Sequence, residues 1–340
     1  MGGKRIEMKI SILDQSPISH GKSAAEALAE TARLIQRAEQ LGYTRYWVAE
    51  HHGMDSLANP SPEVLLGQLG ALTSTIRIGS GAVLLPHYSP YKVAENFNLL
   101  ATLYPGRIDL GIGRAPGGSA HETLALRENY LQNVFRLPSL LSDLIGYLQD
   151  ELPPDHPFVG IHARPQPPVA PELWLLGTSG KSAAYAAELG TSFAFGHFMS
   201  EIDGTAILQD YRQNFQPSRM QQQPKTIVTA SAICAETEEE ANRLAASLDL
   251  WAVQTDSGTA SGGIPSVAEA LAYPYSEAEQ ELIRKRHRRM LIGTPGQIKK
   301  QIKELQEAYQ ADEWMFVTIT HDYETRLRSY ELLADALLRE

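Results

Sequence analysis

The stretch GTSGKS, residues 177–182, follows an apolar run and precedes an Ala-rich segment, so it predicts a glycine turn between a strand and a helix. The first N–H groups of a helix have no partner inside the helix and can bind a phosphate. The triphosphate loop of NTPases needs a glycine separated from the Gly-Lys pair by four residues, and Leu175 stands there. The stretch therefore indicates either a seat for one phosphate group, with Ser179 and Ser182 beside it, or a simple helix cap.

Arg114 lies in a second glycine-rich segment, DLGIGRAPGGSAHE, which follows the fourth predicted strand. A guanidinium group binds phosphate through paired hydrogen bonds, and in a barrel the fourth and fifth strands are neighbours. Arg114 is therefore expected to reach the same anion as the turn at 177–182. The glycines at 111, 113 and 117 do not match the G-x-G-x-x-G turn of dinucleotide-binding domains, so no such site is predicted.

Three residues that can carry protons or ligate metals, Glu50, His51 and His52, follow the second predicted strand. Successive strand residues point to opposite faces, so either Glu50 with His52, or His51 alone, faces one centre. A zinc hydrolase of the barrel type would need a second histidine pair after the first strand, where this chain has Leu-Asp-Gln-Ser at 13–16, so no metal site is predicted. His51 is the candidate proton donor or acceptor, and a histidine that only bonds neighbouring loops is the alternative.

Eight short β-rich runs alternate with longer helical patterns and would position these groups. They span residues 8–13, 44–49, 76–84, 107–112, 172–176, 191–195, 226–234 and 313–319. Several are almost continuously apolar, as expected for strands covered by helices. The pattern predicts a (β/α)8 TIM barrel, with a doubly wound open sheet as the alternative. Polar residues at the carboxyl ends of barrel strands share one face of the fold, where barrel enzymes have their active sites.

Two segments interrupt the alternation within a predicted single domain, residues 1–340. Residues 150–171 are rich in proline and predict an insertion before the fifth strand. Residues 255–292 contain a loop of small residues and then a basic helix, before the last βα unit. The loop is interpreted as a candidate lid over the site, with a flexible surface loop as the alternative.

Charge and cysteine content exclude several classes of protein. The net charge of −10, without a long basic run, argues against nucleic-acid binding and against binding to an anionic membrane. No stretch reaches the roughly 18–20 apolar residues that span a bilayer. The single cysteine, Cys234, rules out an internal disulfide. A cytoplasmic location is expected.

Several motifs together resemble the bacterial-luciferase-like flavin monooxygenases, in the branch without demonstrated light emission. They are YWVAEHHG, IRIGSGAVLLPHYSPYKVAENFNLL, PGRIDLGIGRAPGG, GTSGKSAAYAAELG and, near the end, EWMFVTITHDYETRLRSYELLAD. The resemblance implies a TIM barrel that uses FMN, reduced by a separate flavin reductase, and that forms a homodimer. It also implies that reduced FMN and O2 form a C4a-(hydro)peroxide, which inserts oxygen into a small organic substrate.

The resemblance also assigns residues. It places His51 in acid/base chemistry beside the flavin and puts a non-prolyl cis peptide, Gly81–Ala82, under the flavin ring. The groups implied at the flavin phosphate are Arg114, Ser179, the N–H of Gly180, and Ser182. Further histidines implied to line the site are His87, His197 and His321.

Two departures and three alternatives accompany the resemblance. Luciferase has a glutamate where this chain has Thr178, and a cysteine where it has Gly113. A deazaflavin-dependent enzyme that transfers hydride uses a related barrel and is the first alternative. A non-catalytic FMN-binding protein is the second, and a metal hydrolase, which would hold zinc and no flavin, is the third.

Overall fold

The structure, a computed structural model, describes residues 8–260 and 262–339. Residues 1–7, Ser261 and Glu340 are part of the predicted domain 1–340. Ser261 is also part of the candidate lid. These residues lie outside the described part of the chain.

In the described residues nine parallel strands form one sheet, and eight of them close into a barrel because β9 pairs with β1 and β7, and β7 pairs with β6. The predicted TIM barrel is therefore confirmed. The strands are β1 (Lys9–Asp14), β2 (Arg45–Val48), β3 (Arg77–Leu84), β4 (Ile108–Gly113), β5 (Glu172–Gly177), β6 (Ser192–Gly196), β7 (Thr226–Cys234), β8 (Met290–Gly293) and β9 (Glu313–Val317).

Helices follow most strands and cover the outside of the barrel. They are α1 (Ala24–Leu41), α2 (Pro62–Ala71), α3 (Pro90–Leu103), α4 (Ala120–Leu126), α5 (Tyr130–Phe135), α6 (Leu137–Gln149), α7 (Gly180–Glu188), α8 (Gly204–Gln213), α9 (Glu238–Asp256), α10 (Val267–Ala272), α11 (Glu277–His287), α12 (Pro295–Tyr309) and α13 (Tyr323–Leu338). Across residues 8–260 and 262–339, no helix combines the length and the apolar character that a membrane crossing requires.

Local chemistry explains where several helices begin. Ser23 accepts a hydrogen bond from the backbone N–H of Glu26, and the Glu26 carboxylate accepts the N–H of Ser23 in return, which closes a capping box at the start of α1. Pro62 and Pro295 are the first residues of α2 and α12. Proline fits there because the first helical N–H has no partner inside the helix.

The two predicted insertions are present, and the second is more ordered than expected. Residues 150–171 contain neither helix nor strand. In 255–292, by contrast, α9 continues to Asp256, the short helix α10 follows, α11 is the basic helix, and β8 ends the segment. The irregular loop before α10 is therefore limited to residues 257–260 and 262–266 of the described chain. The sequence analysis missed β8, which pairs with β7 alone and lies outside the closed ring.

The amino ends of the strands carry a buried cluster of charges. Arg45, the first residue of β2, is 2% exposed. Its guanidinium donates to Asp109 Oδ2 at 2.7 Å and to Glu313 Oε1 at 2.8 Å. Trp47 Nε1 also donates to Asp109 Oδ2, at 2.9 Å. Burial alone would lower the pKa of Arg45, but the carboxylates of Asp109, Glu313 and Glu172 raise that pKa above its usual value. The guanidinium therefore stays charged and links β2, β4 and β9.

Replacing Arg45 with methionine is expected to lower the free energy of unfolding by about 3–5 kcal/mol, because the buried carboxylate of Glu313 loses its cation and that of Asp109 loses one of the two arginines that pair with it. Urea unfolding followed by tryptophan fluorescence measures the change. The matched control is Arg33→Met, since the Arg33 side chain is 58% exposed and lies 3.9 Å from Glu324. That variant should stay within about 1 kcal/mol of the wild type. Equal midpoints for the two variants would contradict the role given to Arg45.

Candidate functional site

A cavity of about 530 Å³ opens beside His51, where the chain leaves β2. Three segments that are distant in sequence form its walls. Residues 51–56 follow β2, residues 117–119 follow β4, and the third wall contains Thr255, Gly258, Ala260, Gly262 and Gly263. Described residues of the candidate lid therefore lie across the cavity from His51.

His51 has a polar atom that the folded chain does not satisfy. Its backbone N–H donates to the carbonyl of Asn59 at 3.0 Å. Its Nδ1 is buried and has no hydrogen-bond partner among the described residues. Burial, and then the nearby His52, lower the pKa of His51 to about 4. The imidazole is therefore neutral at physiological pH and can accept a proton or hydrogen-bond a bound group.

The carboxylate of Glu50 holds the base of this site together. It is buried and accepts three hydrogen bonds, from the Tyr88 hydroxyl at 2.7 Å, His52 Nε2 at 2.8 Å and the backbone N–H of Leu84 at 3.1 Å. Glu50 and His52 thus share one face, as strand geometry predicts. Tyr88 follows His87 directly in the quoted third-strand motif, but the sequence analysis gave it no role in the site. The described residues contain no group of three or more side chains that could hold a metal ion. Glu50 and His52 therefore form no such group.

The segment after β4 packs against the backbone of His52. The His52 N–H donates to the carbonyl of Gly117 at 2.8 Å. Gly117 has φ of +72°, a conformation that side-chain-bearing residues rarely adopt. A Cβ on Gly118 would lie 2.5 Å from the His52 carbonyl oxygen, so only glycine allows this approach. The two glycines therefore bring the β4 segment against the β2 segment and form the cavity wall.

His87 connects this region to Arg114. The ring of His87 stacks on Tyr130, with centroids 4.6 Å apart. The Tyr130 hydroxyl donates to the carbonyl of Arg114 at 2.7 Å. His87 Nε2 bonds the carbonyl of Pro116 at 2.9 Å, and burial lowers the pKa of His87. Sequence patterns gave no sign of Tyr130, because its role depends on α5 packing against the turn after β3.

The other two candidate histidines bond nearby parts of the fold. His197 Nδ1 lies 3.0 Å from the Tyr309 hydroxyl. His321 Nδ1 lies 2.9 Å from the carbonyl of Ile264, which also accepts the N–H of His20 at 2.8 Å. The latter contacts fasten one end of the candidate lid to the barrel rim.

Arg114 and Ser182 line one narrow cleft, together with Leu175 and Tyr185. Arg114 is exposed, and within residues 8–260 and 262–339 its guanidinium pairs with no carboxylate. The structure thus places the arginine beside the start of α7, as the barrel order predicted. A cationic group without a counter-ion, next to a helix amino end, suits a phosphate.

The turn before α7 is also a helix cap. Ser179 is the N-cap, its hydroxyl accepts the N–H of Ser182 at 3.5 Å, and the Ser182 hydroxyl donates to the Ser179 carbonyl at 2.7 Å. Gly180 is the first helical residue and has open space around its Cα. Lys181 is exposed, with its ammonium 5.7 Å from the Tyr185 ring centre. Capping and anion binding are compatible here, because the side chains occupy only some of the first-turn donors.

The Gly81–Ala82 peptide in β3 is cis, as the resemblance implied. A Cβ on Gly81 would lie 2.6 Å from Leu13 Cδ1 and 3.2 Å from Trp47 Cε3, so the strand is packed tightly against the barrel interior at this point. A Cβ on Gly113 would come within 3.1 Å of the Ala82 Cβ. This close approach gives a steric reason for glycine at 113.

Comparison with known proteins identifies close relatives over the whole described chain. The family model for luciferase-like monooxygenases matches residues 8–311. The YwcH protein of Bacillus subtilis (strain 168) is 45% identical, covering 97% of this chain and 99% of its own. The N-acetyl-S-alkylcysteine monooxygenase of the same organism is 38% identical, covering 97% and 98%. The crystal structure of apo-MsnO8 has a TM-score of 0.88 at 36% identity and covers 98% of both chains.

More distant structures share the fold alone. The oxygenating constituent of 3,6-diketocamphane monooxygenase from Pseudomonas putida, in complex with FMN, has a TM-score of 0.68 at 20% identity, covering 97% and 98%. An F420-dependent secondary alcohol dehydrogenase has a TM-score of 0.66 at 13% identity, covering 98% and 100%. The same barrel thus serves FMN in one protein and F420 in the other, so the barrel by itself does not select the cofactor.

The lowered pKa of His51 predicts a pH-dependent stability. Between pH 6.5 and 4 the unfolded chain binds a proton at this histidine that the folded chain does not. The contribution of His51 is therefore complete above pH 6.5 and is lost as the pH falls toward 4. Replacing His51 with glutamine should reduce the loss of stability between pH 7 and pH 5 by about 1–2 kcal/mol. Urea unfolding at several pH values measures this difference. The exposed His121→Gln should follow the wild type, and a His51→Gln curve parallel to the wild type would refute the prediction.

Proposed function

The chain belongs to the luciferase-like monooxygenase family, and from that membership we propose that it oxidises a small organic substrate with reduced FMN and O2, at the cavity beside His51. One observation supports FMN in particular, rather than flavins in general: Arg114 and the start of α7 line the same cleft. FMN ends in a single phosphate monoester, which is the anion that this pair of features suits.

The cofactor would be held at two places. Arg114 and Ser182 would bind the phosphate from the cleft that both line. Ser179 and the N–H of Gly180, which belong to the same first turn of α7, would add further hydrogen bonds. Gly81 and Ala82 would contact the flavin ring. The proposal for the ring rests on the family resemblance.

Reduced flavin supplies two electrons to O2, so that one oxygen atom enters the substrate and the other leaves as water. His51 would accept and return a proton through Nδ1, which has no partner in the described fold and belongs to a neutral ring. Glu50 would fix the neighbouring His52 through its hydrogen bond and so hold the β2 segment in place. Residues 255–260 and 262–263 of the candidate lid would keep water from the cavity.

We further propose that a separate flavin reductase supplies the reduced FMN, in the cytoplasm, and that the protein is a homodimer. The glycine pattern after β4 does not fit a dinucleotide-binding turn, which favours reduction of the flavin elsewhere. Oxidation of NADH only when a reductase is added, and sedimentation at twice the chain mass, are the expected results.

The proposed phosphate site predicts that FMN affinity depends on Arg114 and hardly at all on Lys181. Arg114→Ala should weaken FMN binding about 10- to 100-fold, since it removes charge-assisted hydrogen bonds. The control Lys181→Ala, which removes a cation from the same turn, should change the Kd less than about threefold because exposed charges contribute little. Fluorescence titration with FMN, repeated anaerobically with FMNH2 and with F420, measures the affinities. Tighter binding of F420 than of FMN would favour the deazaflavin alternative, and equal effects of the two substitutions would contradict the seat.

His51 is expected to affect turnover and not binding. His51→Ala should lower kcat by about 10²–10⁴-fold, the usual contribution of a general acid or base, while the FMN Kd stays within about threefold. Because one relative is named for S-alkylcysteine oxidation, S-methyl thioethers are the first substrates to test, with sulfoxide formed per FMNH2 consumed as the readout. His162→Ala, in the 150–171 insertion, is the matched control. Wild-type sulfoxide yield in the His51 variant would exclude the proton-transfer role, and tight FMN binding without oxidation of any substrate would favour a non-catalytic FMN-binding protein.

A further inference from the structure

We infer that the cavity beside His51 selects its substrate by charge, accepting neutral or cationic molecules and disfavouring anions, with Asp55 as the residue that sets this preference. The inference deepens the proposed function, on which it rests only in taking this cavity as the substrate site. It concerns a side chain to which the sequence analysis gave no role.

The described part of the cavity wall contains many small residues and one charged side chain, that of Asp55. Six of its residues are glycines, at 53, 117, 118, 258, 262 and 263, so few side chains project into the space. Among the described wall residues there is no lysine or arginine, and Asp55 is the one carboxylate. Asp55 is exposed, and within the described chain its carboxylate takes part in no ion pair or hydrogen bond. The field of this charge therefore reaches a molecule that enters the cavity.

A second carboxylate lies directly behind the wall. A Cβ built on Gly53 would be 2.6 Å from the Glu122 carboxyl group, so this carboxyl group packs against the residue between His52 and Met54. The hydroxyl and N–H of Ser119 donate to Glu122 and lower its pKa. Glu122 therefore remains anionic and adds to the negative potential that Asp55 creates.

The size of the effect is large enough to measure. Two like charges about 4 Å apart change a local concentration about fivefold even in water, and more strongly in the lower effective dielectric near a protein surface. Salt screens this interaction over about 10 Å at 0.1 M. A substrate carboxylate would therefore be disfavoured most at low ionic strength, whereas an amide or an amine would not be.

The consequence distinguishes this chain from what the name of one relative suggests. N-acetyl-S-alkylcysteines carry a free carboxylate. The cavity described here offers no cation to bind it and places one carboxylate in the wall and another behind it. Neutral derivatives, such as the corresponding amides, and amine-bearing compounds fit the charge of this cavity better.

A labelling experiment tests the charge preference without flavin or turnover. Met54→Cys puts a thiol in the cavity wall, and the native Cys234 is buried, so background reaction is small. The probes are the anionic 2-sulfonatoethyl and the cationic 2-(trimethylammonio)ethyl methanethiosulfonates, each normalised to its rate with 2-mercaptoethanol. Thiol modification is followed by mass spectrometry at low and high salt. Thr255→Cys provides a second thiol on the opposite wall if the first variant does not fold.

The cationic probe should react about tenfold or more faster than the anionic probe, and Asp55→Asn should reduce this ratio at least threefold. High salt should reduce it as well. The control Asp155→Asn makes the same change of charge at an exposed residue of the 150–171 insertion and should leave the ratio unchanged. A ratio near one, or a ratio that Asp55→Asn does not change, overturns the inference.

Turnover then separates this inference from the proposed function. With N-acetyl-S-methylcysteine and its amide as alternative substrates, kcat/KM should favour the amide about tenfold, and Asp55→Lys should shift the preference toward the acid. Equal or reversed preference in the wild type overturns the inference even where sulfoxide forms. Absence of sulfoxide from both compounds counts against the proposed substrate oxidation, and the labelling ratio still decides the charge preference.

Discussion

The buried guanidinium of Arg45 is the constraint on which the barrel depends. A charge that is 2% exposed is tolerated only with close counter-ions, and Asp109 and Glu313 supply them from β4 and β9. Because the three side chains stand at the amino ends of their strands, this cluster fixes the starting positions of strands on different sides of the ring. The carboxyl ends then emerge at a defined level, and the segments that follow them meet around one rim.

A second buried charged group lies beyond the carboxyl end of β2. Five residues beyond Arg45, the buried carboxylate of Glu50 accepts hydrogen bonds from Leu84, Tyr88 and His52. One end of β2 is therefore fixed by a cation among carboxylates, and the other by a carboxylate among donors. His51 lies between Glu50 and His52, and its ring can remain without a partner at Nδ1 because its neighbours hold the backbone in place.

Residues whose role follows from strand order could be predicted from the sequence, and residues whose role follows from packing between distant segments could not. His51, Arg114 and the turn at 177–182 each follow an apolar run, so the barrel pattern alone places them at one rim. Asp55 and Tyr130 have no such signal, because their surroundings come from segments far away in sequence. The strand β8 was missed since its four residues follow a basic helix and pair only outside the ring.

The distribution of charge at the rim suggests how one barrel keeps an anionic cofactor and its substrate apart. On one side, Arg114 and the amino end of α7 form a positive seat that has no carboxylate partner in the described chain. On the other side, Asp55 and Glu122 make the cavity at His51 negative. Under the proposed function, a flavin phosphate would be attracted to the first region and repelled from the second, and the cavity would be left for the substrate. In this arrangement the strands provide the positions, and the rim side chains provide the charges.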